Sequence, residues 1–245
     1  MSTPNPANTA RTDAPTPRRG GSAAHPGPPL AAPAIAFVVT FLASILIGPI
    51  SGAGAVPSPF AAPATIDRYF TDHHTITAIS GSLMLLSAIP LLILSAITFS
   101  RLDFLAPNAP GPAIAGFGGL AASTMLMASA LFGWTLSRDV VTDQPGLAHT
   151  VDYLMFLTGG PAHTAALGVM ILGLAVTTLF IARTPRWLSV IGIGLAVLDV
   201  LCLVSLAVEE AAPLIAIGRF GSLVWLVAIT WLIPRDRAAR GSARR

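Results

Sequence analysis

The sequence contains no lysine, one cysteine and few charged residues. All 14 basic residues are arginine, only 10% of the 245 residues are charged, and hydrophobic residues make up 53%. Because the surface of a soluble domain must be hydrated, such domains carry about 25% charged residues. This composition therefore predicts a surface that faces lipid. The lone cysteine, Cys202, excludes a disulfide within the chain, and its apolar surroundings predict packing rather than reactivity.

Motifs for catalysis and for cofactor binding are also missing. The chain has no Gly-x-Ser-x-Gly elbow, no His-Glu-x-x-His and no phosphate-binding P-loop. We therefore expect no catalytic residue, no bound cofactor and no ATP-driven pumping. The arginines do not alternate with aromatic residues along a helix or strand, so a nucleic-acid partner is not expected either.

Six apolar runs are present, and each is close to or above the roughly 20 residues that a membrane-spanning helix needs. They cover residues 32–50, 75–99, 112–136, 150–182, 187–208 and 214–233. We predict an all-α polytopic bundle of about six transmembrane helices over residues 31–234. Residues 1–30 are predicted to form a disordered cytoplasmic tail and residues 235–245 a basic cytoplasmic tail. In the long fourth run, Gly159-Gly160-Pro161 predicts a break between a short outer segment and the span proper.

The arginines predict the orientation, because cytoplasmic segments of membrane proteins carry an excess of positive charge. With both termini inside, eleven arginines lie on the cytoplasmic side and only Arg68 and Arg138 lie outside. The use of arginine in place of lysine, with abundant alanine, glycine and proline, is typical of a GC-rich bacterial genome. We therefore predict a bacterial plasma-membrane protein. One alternative stays open: the first apolar run, followed by Ala53-Gly54-Ala55, also resembles a cleavable signal peptide.

Three ionisable residues lie at unexpected depth in the predicted spans, where charge is costly and by default marks a functional site. They are Asp199 in the fifth span, Arg219 in the sixth and His163 in the fourth. An Asp199–Arg219 ion pair is expected, with His163 or Asp152 joining it. The pair is either structural or part of a ligand, ion or proton site. In a third interpretation, Arg219 extends to the outer headgroups without meeting Asp199.

A second polar group lies at the predicted outer ends of the spans. His73, His74, His149, Asp143 and Asp152 offer imidazole and carboxylate ligands suited to zinc, but their spacing matches no metal signature. A polar collar at the membrane interface is the alternative. We therefore predict no metal site here.

Small residues recur four apart in two spans and predict close helix contacts. Ala115, Gly119 and Ser123 share one face of the third span, and Gly218 and Ser222 share one face of the sixth. Membrane lipids are the expected partners. A second copy, or another membrane protein, is a further candidate to contact these faces.

Several short segments form a recognisable pattern. They are Phe156 to His163 (FLTGGPAH), Pro185 to Leu188 (PRWL), Gly218 to Phe220 (GRF), Val224 to Leu226 (VWL) and Ile233 to Arg235 (IPR). The pattern resembles a family of uncharacterised multi-pass membrane proteins of actinobacteria, over roughly residues 67–235. That family has no assigned activity, so the resemblance implies the topology and no reaction.

Three functions are compatible with these features. The leading hypothesis is a non-enzymatic or accessory membrane protein with a polar cluster in the outer half of the last three spans. A small-solute or proton-coupled transporter is the second, although it calls for a second broken helix to match the first. The third is a membrane-embedded enzyme acting on a lipid or isoprenoid, with Asp199 or His163 as acid or base. The first three spans are expected to serve packing and anchoring only.

Overall fold

The computed structural model describes residues 27–144, 146–181 and 184–234, and over these residues the regular structure is entirely helical. The helices are α1 Ala31–Ile50, α2 Pro63–Asp72, α3 His74–Leu105, α4 Gly111–Thr135, α5 Asp139–Thr142, α6 Leu147–Leu157, α7 His163–Ile181, α8 Arg186–Leu201 and α9 Pro213–Leu232. A π-helical segment, Thr158–Ala162, joins α6 to α7. Two 3-10 turns, Cys202–Leu206 and Glu209–Ala211, lead from α8 to α9.

Six helical stretches of the described chain are long and apolar enough to cross a membrane. They are Ala31–Ile50, His74–Leu105, Gly111–Thr135, Leu147–Ile181, Arg186–Leu206 and Glu209–Leu232. The predicted all-α membrane bundle is therefore confirmed. The tails at 1–26 and 235–245 lie outside the described residues. Residues 27–30 are placed, and the carbonyls of Gly27 and Pro28 accept hydrogen bonds from the buried Arg101.

Two details differ from the prediction. The fourth span is not interrupted at Gly159 to Pro161, because the chain widens into a π turn there and continues as α7. A π turn absorbs one extra residue per turn, which lets proline remain within a helix of 35 residues. The fifth span, in contrast, leaves α-helical geometry at Cys202, earlier than the predicted end at 208.

The short helices α2 and α5 were not predicted, and they cover one end of the bundle. Their buried residues Ile66, Phe70 and Val141 pack with Leu136 and Ala148 in a small apolar cluster. Pro63 begins α2, where its missing N–H costs no hydrogen bond. We call this end, which also holds the start of α3, α6 and α9, the α2 end.

The centre of the bundle is formed by α4 and α7, which pack against each other, while α3 and α8 flank them and α1 packs against α3. Glycine permits the α4–α7 contact: a Cβ at Gly118 would lie 2.8 Å from the carbonyl carbon of Val169. Gly119 meets Ser95 of α3 in the same way. The small-residue face of the third span therefore serves contacts within the chain.

Candidate binding site at the α2 end

Asp199 is fully buried between three helices. It projects from α8, its Oδ2 accepts a 2.6 Å hydrogen bond from Ser222 Oγ of α9, and its Oδ1 has no partner among the described residues. Glycines enclose it: a Cβ at Gly168 of α7 would lie 2.6 Å from the Asp199 Cβ, and one at Gly218 of α9 would collide with Oδ1. The space around Asp199 is therefore closed, and only a small side chain fits between the two glycines.

The predicted Asp199–Arg219 ion pair is wrong. The ion pairs of the described chain include Arg68 with Asp72 at 3.5 Å, and His74 contacts Asp139 at 3.2 Å, both on the surface of the α2 end. Asp199 turns to Ser222 instead. The physical reason is that better-placed acceptors for the guanidinium lie on the fourth span.

Arg219 binds the π segment and the first turn of α7. Its Nη2 donates to the carbonyls of Gly159 and Gly160, the latter at 3.1 Å, and both Nη2 and Nε donate to Thr164 Oγ1 at 3.1 and 3.2 Å. Nη1 makes none of these hydrogen bonds. It is also not one of the fully buried side-chain atoms that lack a hydrogen-bond partner in the described structure. One face of the guanidinium is thus fixed, and one nitrogen remains available to a ligand.

An aromatic ring from the first span links Arg219 to His163. The Phe41 ring lies 5.7 Å from the Arg219 guanidinium carbon and 6.3 Å from the His163 ring, with which it stacks. His163 is fully buried, and its Nδ1 donates to the Ala122 carbonyl at 2.9 Å. Its Nε2 has no partner in the described structure. The first span was expected to serve packing and anchoring, and Phe41 packs it against these two site residues.

A cavity of about 360 Å³ lies beside Arg219 at the α2 end. Its polar lining consists of Arg219, Asp152, Ser129 and the backbone at Gly159 and Gly160. The rest is apolar: Phe41, Ile45, Val56, Pro57, Pro59, Met84, Leu126, Met155, Phe156, Ala212, Ile215, Ala216 and Phe220. This volume falls in the range of small-molecule sites, and a mostly apolar wall with a few polar groups is their usual character.

Asp152 is the acid of this cavity. Asp152 is only 2% exposed: among the described residues, Oδ2 is enclosed without a hydrogen-bond partner, whereas Oδ1 also makes no hydrogen bond but is not enclosed. An unpaired buried carboxylate costs several kcal/mol, on the order of the penalty for any desolvated ion. The sequence grouped Asp152 with Arg219, and the structure places both on the wall of one cavity, where they form no ion pair with each other.

The outer histidines do not converge on a metal site. His73 Nδ1 contacts the Tyr69 carbonyl at 2.9 Å, His149 Nε2 contacts the Pro59 carbonyl at 3.1 Å, and His74 pairs with Asp139. Over the described ranges, no three His, Cys, Asp or Glu side chains lie where they would hold a metal ion.

No model of a known protein family, no curated protein and no solved structure matches this chain. The resemblance to uncharacterised actinobacterial membrane proteins therefore remains a prediction, and function must be argued from the site itself.

Proposed function

We propose that this protein is a non-enzymatic membrane protein of the bacterial plasma membrane that binds a small molecule in the cavity beside Arg219. One observation carries the proposal: Arg219 and Asp152 line the same cavity, and Arg219 Nη1 and Asp152 Oδ1 are neither hydrogen-bonded nor enclosed within the described structure. Because unpaired ionisable groups within a membrane span are expensive, a ligand that completes their hydrogen bonds is the simplest reason for their presence.

The lining supports binding rather than chemistry. Ser129 is the one hydroxyl side chain on the cavity wall, and its Oγ donates to the Met155 carbonyl at 2.9 Å rather than to a base. His163 turns its Nδ1 to the Ala122 carbonyl and is not part of the wall. A nucleophile activated by a neighbouring base, as hydrolases need, is therefore not assembled here.

The cavity belongs to the outer half of the membrane if arginine placement sets the topology. The α2 end carries Arg68 and Arg138, while Arg101 and Arg186 lie toward the opposite end. By sequence position, the other nine arginines outside the spans precede α1, follow α9 or fall between α7 and α8. The positive-inside rule then directs the α2 end outward and both termini to the cytoplasm. A carboxy-terminal reporter enzyme that is active only outside the cell would contradict this orientation.

Water access to the cavity tests the proposed site. Ala216 lines the cavity, and the next residue, Ile217, lies at nearly the same depth but is 61% exposed on the lipid face. A membrane-impermeant thiol reagent applied from the outside should modify Ala216→Cys and spare Ile217→Cys, because a thiol in lipid does not ionise. The wild-type chain is the control, since Cys202 is buried. Equal modification of both variants, or of neither, would refute the site.

A transporter is the second candidate, and a specific contact favours it. The π segment meets the 3-10 turn that ends α8: Cys202 Sγ lies 3.6 Å from the Pro161 carbonyl oxygen, while its shorter contact, at 2.7 Å, is with the Asp199 carbonyl. Adjacent helices that both lose regular geometry beside a site are typical of carriers. A carrier must expose the cavity to both sides, so modification of Ala216→Cys from inside as well as outside would favour transport over binding alone.

A further inference from the structure

The charged groups of the cavity lie at different heights. Asp152 precedes Gly159 by seven residues, or about 10 Å along the helix axis and nearly two full turns, so both lie on one face. Arg219 is bound at the level of Gly159 and Gly160. The acid is therefore nearer the α2 end, and the cation lies deeper. A ligand that satisfies both must carry its negative group further into the membrane than its hydrogen-bond donor.

The cavity also opens sideways toward lipid. Ile45 of α1 and Phe220 of α9 both line it, and they are 39% and 45% exposed on the surface of the bundle. These two helices are neighbours, so the opening is the seam between α1 and α9. A molecule with long apolar chains can lay them along this seam while its polar end enters the cavity.

Arg219 lies in the part of the sixth span that is nearer the α2 end. It is six residues into α9, about 9 Å from the helix start. Arginine is also the side chain best suited to phosphate oxygens. A volume of about 360 Å³ accommodates a headgroup but not acyl chains, each of which extends across about half of a roughly 30 Å core.

Resting on the proposed function, we infer that the cavity binds the headgroup of a phospholipid with a primary ammonium beyond its phosphate, as in phosphatidylethanolamine. The phosphate accepts from Arg219 Nη1, the ammonium donates to Asp152, and the acyl chains follow the α1–α9 seam. The ethanolamine link can extend outward from the phosphate, so the ammonium can reach toward Asp152 while the phosphate stays at Arg219. Phosphatidylcholine has the same charge but no N–H donor, so Asp152 should reject it.

Lipid binding by the full-length protein tests this inference. Native mass spectrometry would compare dioleoyl phosphatidylethanolamine with dioleoyl phosphatidylcholine, added from the same detergent. The wild-type chain should prefer the ethanolamine lipid by about tenfold, the value of one charge-assisted hydrogen bond. Asp152→Asn should bring the two lipids to equal binding. Asp139→Asn, a change of an exposed acid at the same end, should leave the preference intact.

Further variants and lipids in the same binding measurement separate the remaining possibilities. Arg219→Lys keeps the charge but not the planar fork and should weaken binding of both lipids, while Arg138→Gln at the surface should not. A preference that survives in Asp152→Asn would overturn the inference, as would equal binding of phosphatidylglycerol, whose headgroup ends in hydroxyls. Displacement by free O-phosphoethanolamine would show a soluble ligand and overturn the lipid assignment. If a different molecule co-purifies while Ala216→Cys is modified, this inference fails and the proposed function stands.

Discussion

The glycine enclosure of Asp199 makes a quantitative prediction for Gly168→Ala. The new methyl group would lie 2.6 Å from the Asp199 Cβ and 3.0 Å from the Ala196 carbonyl oxygen, whereas carbon atoms pack at about 3.5–4.0 Å. Asp199 cannot move away, because Gly218 bounds it on the other side. Helices α7 and α8 must therefore separate by about 1 Å.

The expected loss of stability follows from two opposing contributions. Overpacking of this kind costs about 1–3 kcal/mol, and replacing glycine by alanine within a helix returns about 1 kcal/mol. The net loss is up to about 2 kcal/mol, or about 4–8 °C in Tm for a chain of this size. The matched control is Gly194→Ala in α8, where a Cβ meets no atom within 4 Å. Its Tm should stay equal or rise.

Cys202 provides the assay. It is the one cysteine of the sequence and is fully buried beside Asp199, so a fluorogenic maleimide reports its exposure as the protein unfolds on heating. Far-UV circular dichroism on the same samples separates local opening from global unfolding. If Gly168→Ala melts at or above the temperature of Gly194→Ala, the close contact around Asp199 does not exist and the reasoning is refuted.

Three other changes have defined outcomes. Ser222→Ala removes the donor to Asp199 and should cost about 1–3 kcal/mol in the same assay, more than Ser205→Ala, whose hydroxyl bonds only within its own turn. Exchanging Asp199 and Arg219 should lower the Tm below that of Asp199→Asn, because the two side chains are not partners; restoration of stability would contradict this. Partial burial raises the pKa of Tyr69 above its ordinary 10.0, so stability should fall above about pH 10, where the unfolded chain deprotonates first, and Tyr69→Phe should flatten that fall.

The spans were predictable because the bilayer imposes a simple requirement: about 20 apolar residues must recur between polar segments. The sequence meets it six times, and the helix starts agree with the prediction to within three residues. The caps α2 and α5 were missed for the same reason. They are short and lie outside the hydrocarbon, so length and hydropathy carry no signal for them.

The ion pair was mispredicted because helical rise gives the depth of a backbone, not the partner of a side chain. Asp199 and Arg219 lie on adjacent helices at compatible depths, yet Arg219 turns to Gly159 and Gly160. Those carbonyls are reached because a π turn forms around Pro161. The sequence marks that position as irregular, but it does not say whether the helix breaks or widens, and only widening presents the carbonyls to Arg219.

The two polar sites are close together and differ in one decisive property, which is space. Asp199 is enclosed by Gly168 and Gly218, so its spare oxygen cannot meet a ligand, and its contribution is to hold α7, α8 and α9 in register. Arg219 and Asp152 line a cavity, and their atoms Nη1 and Oδ1 are not enclosed, so these two atoms can meet a ligand. Variants at Asp199 should therefore change the Tm without changing ligand preference, whereas Asp152→Asn, which removes a buried unpaired charge, should change the preference without lowering the Tm. Whether a variant changes the Tm or the ligand preference therefore distinguishes a structural site from a binding site. The presence of an intramembrane charge does not, because both sites have one.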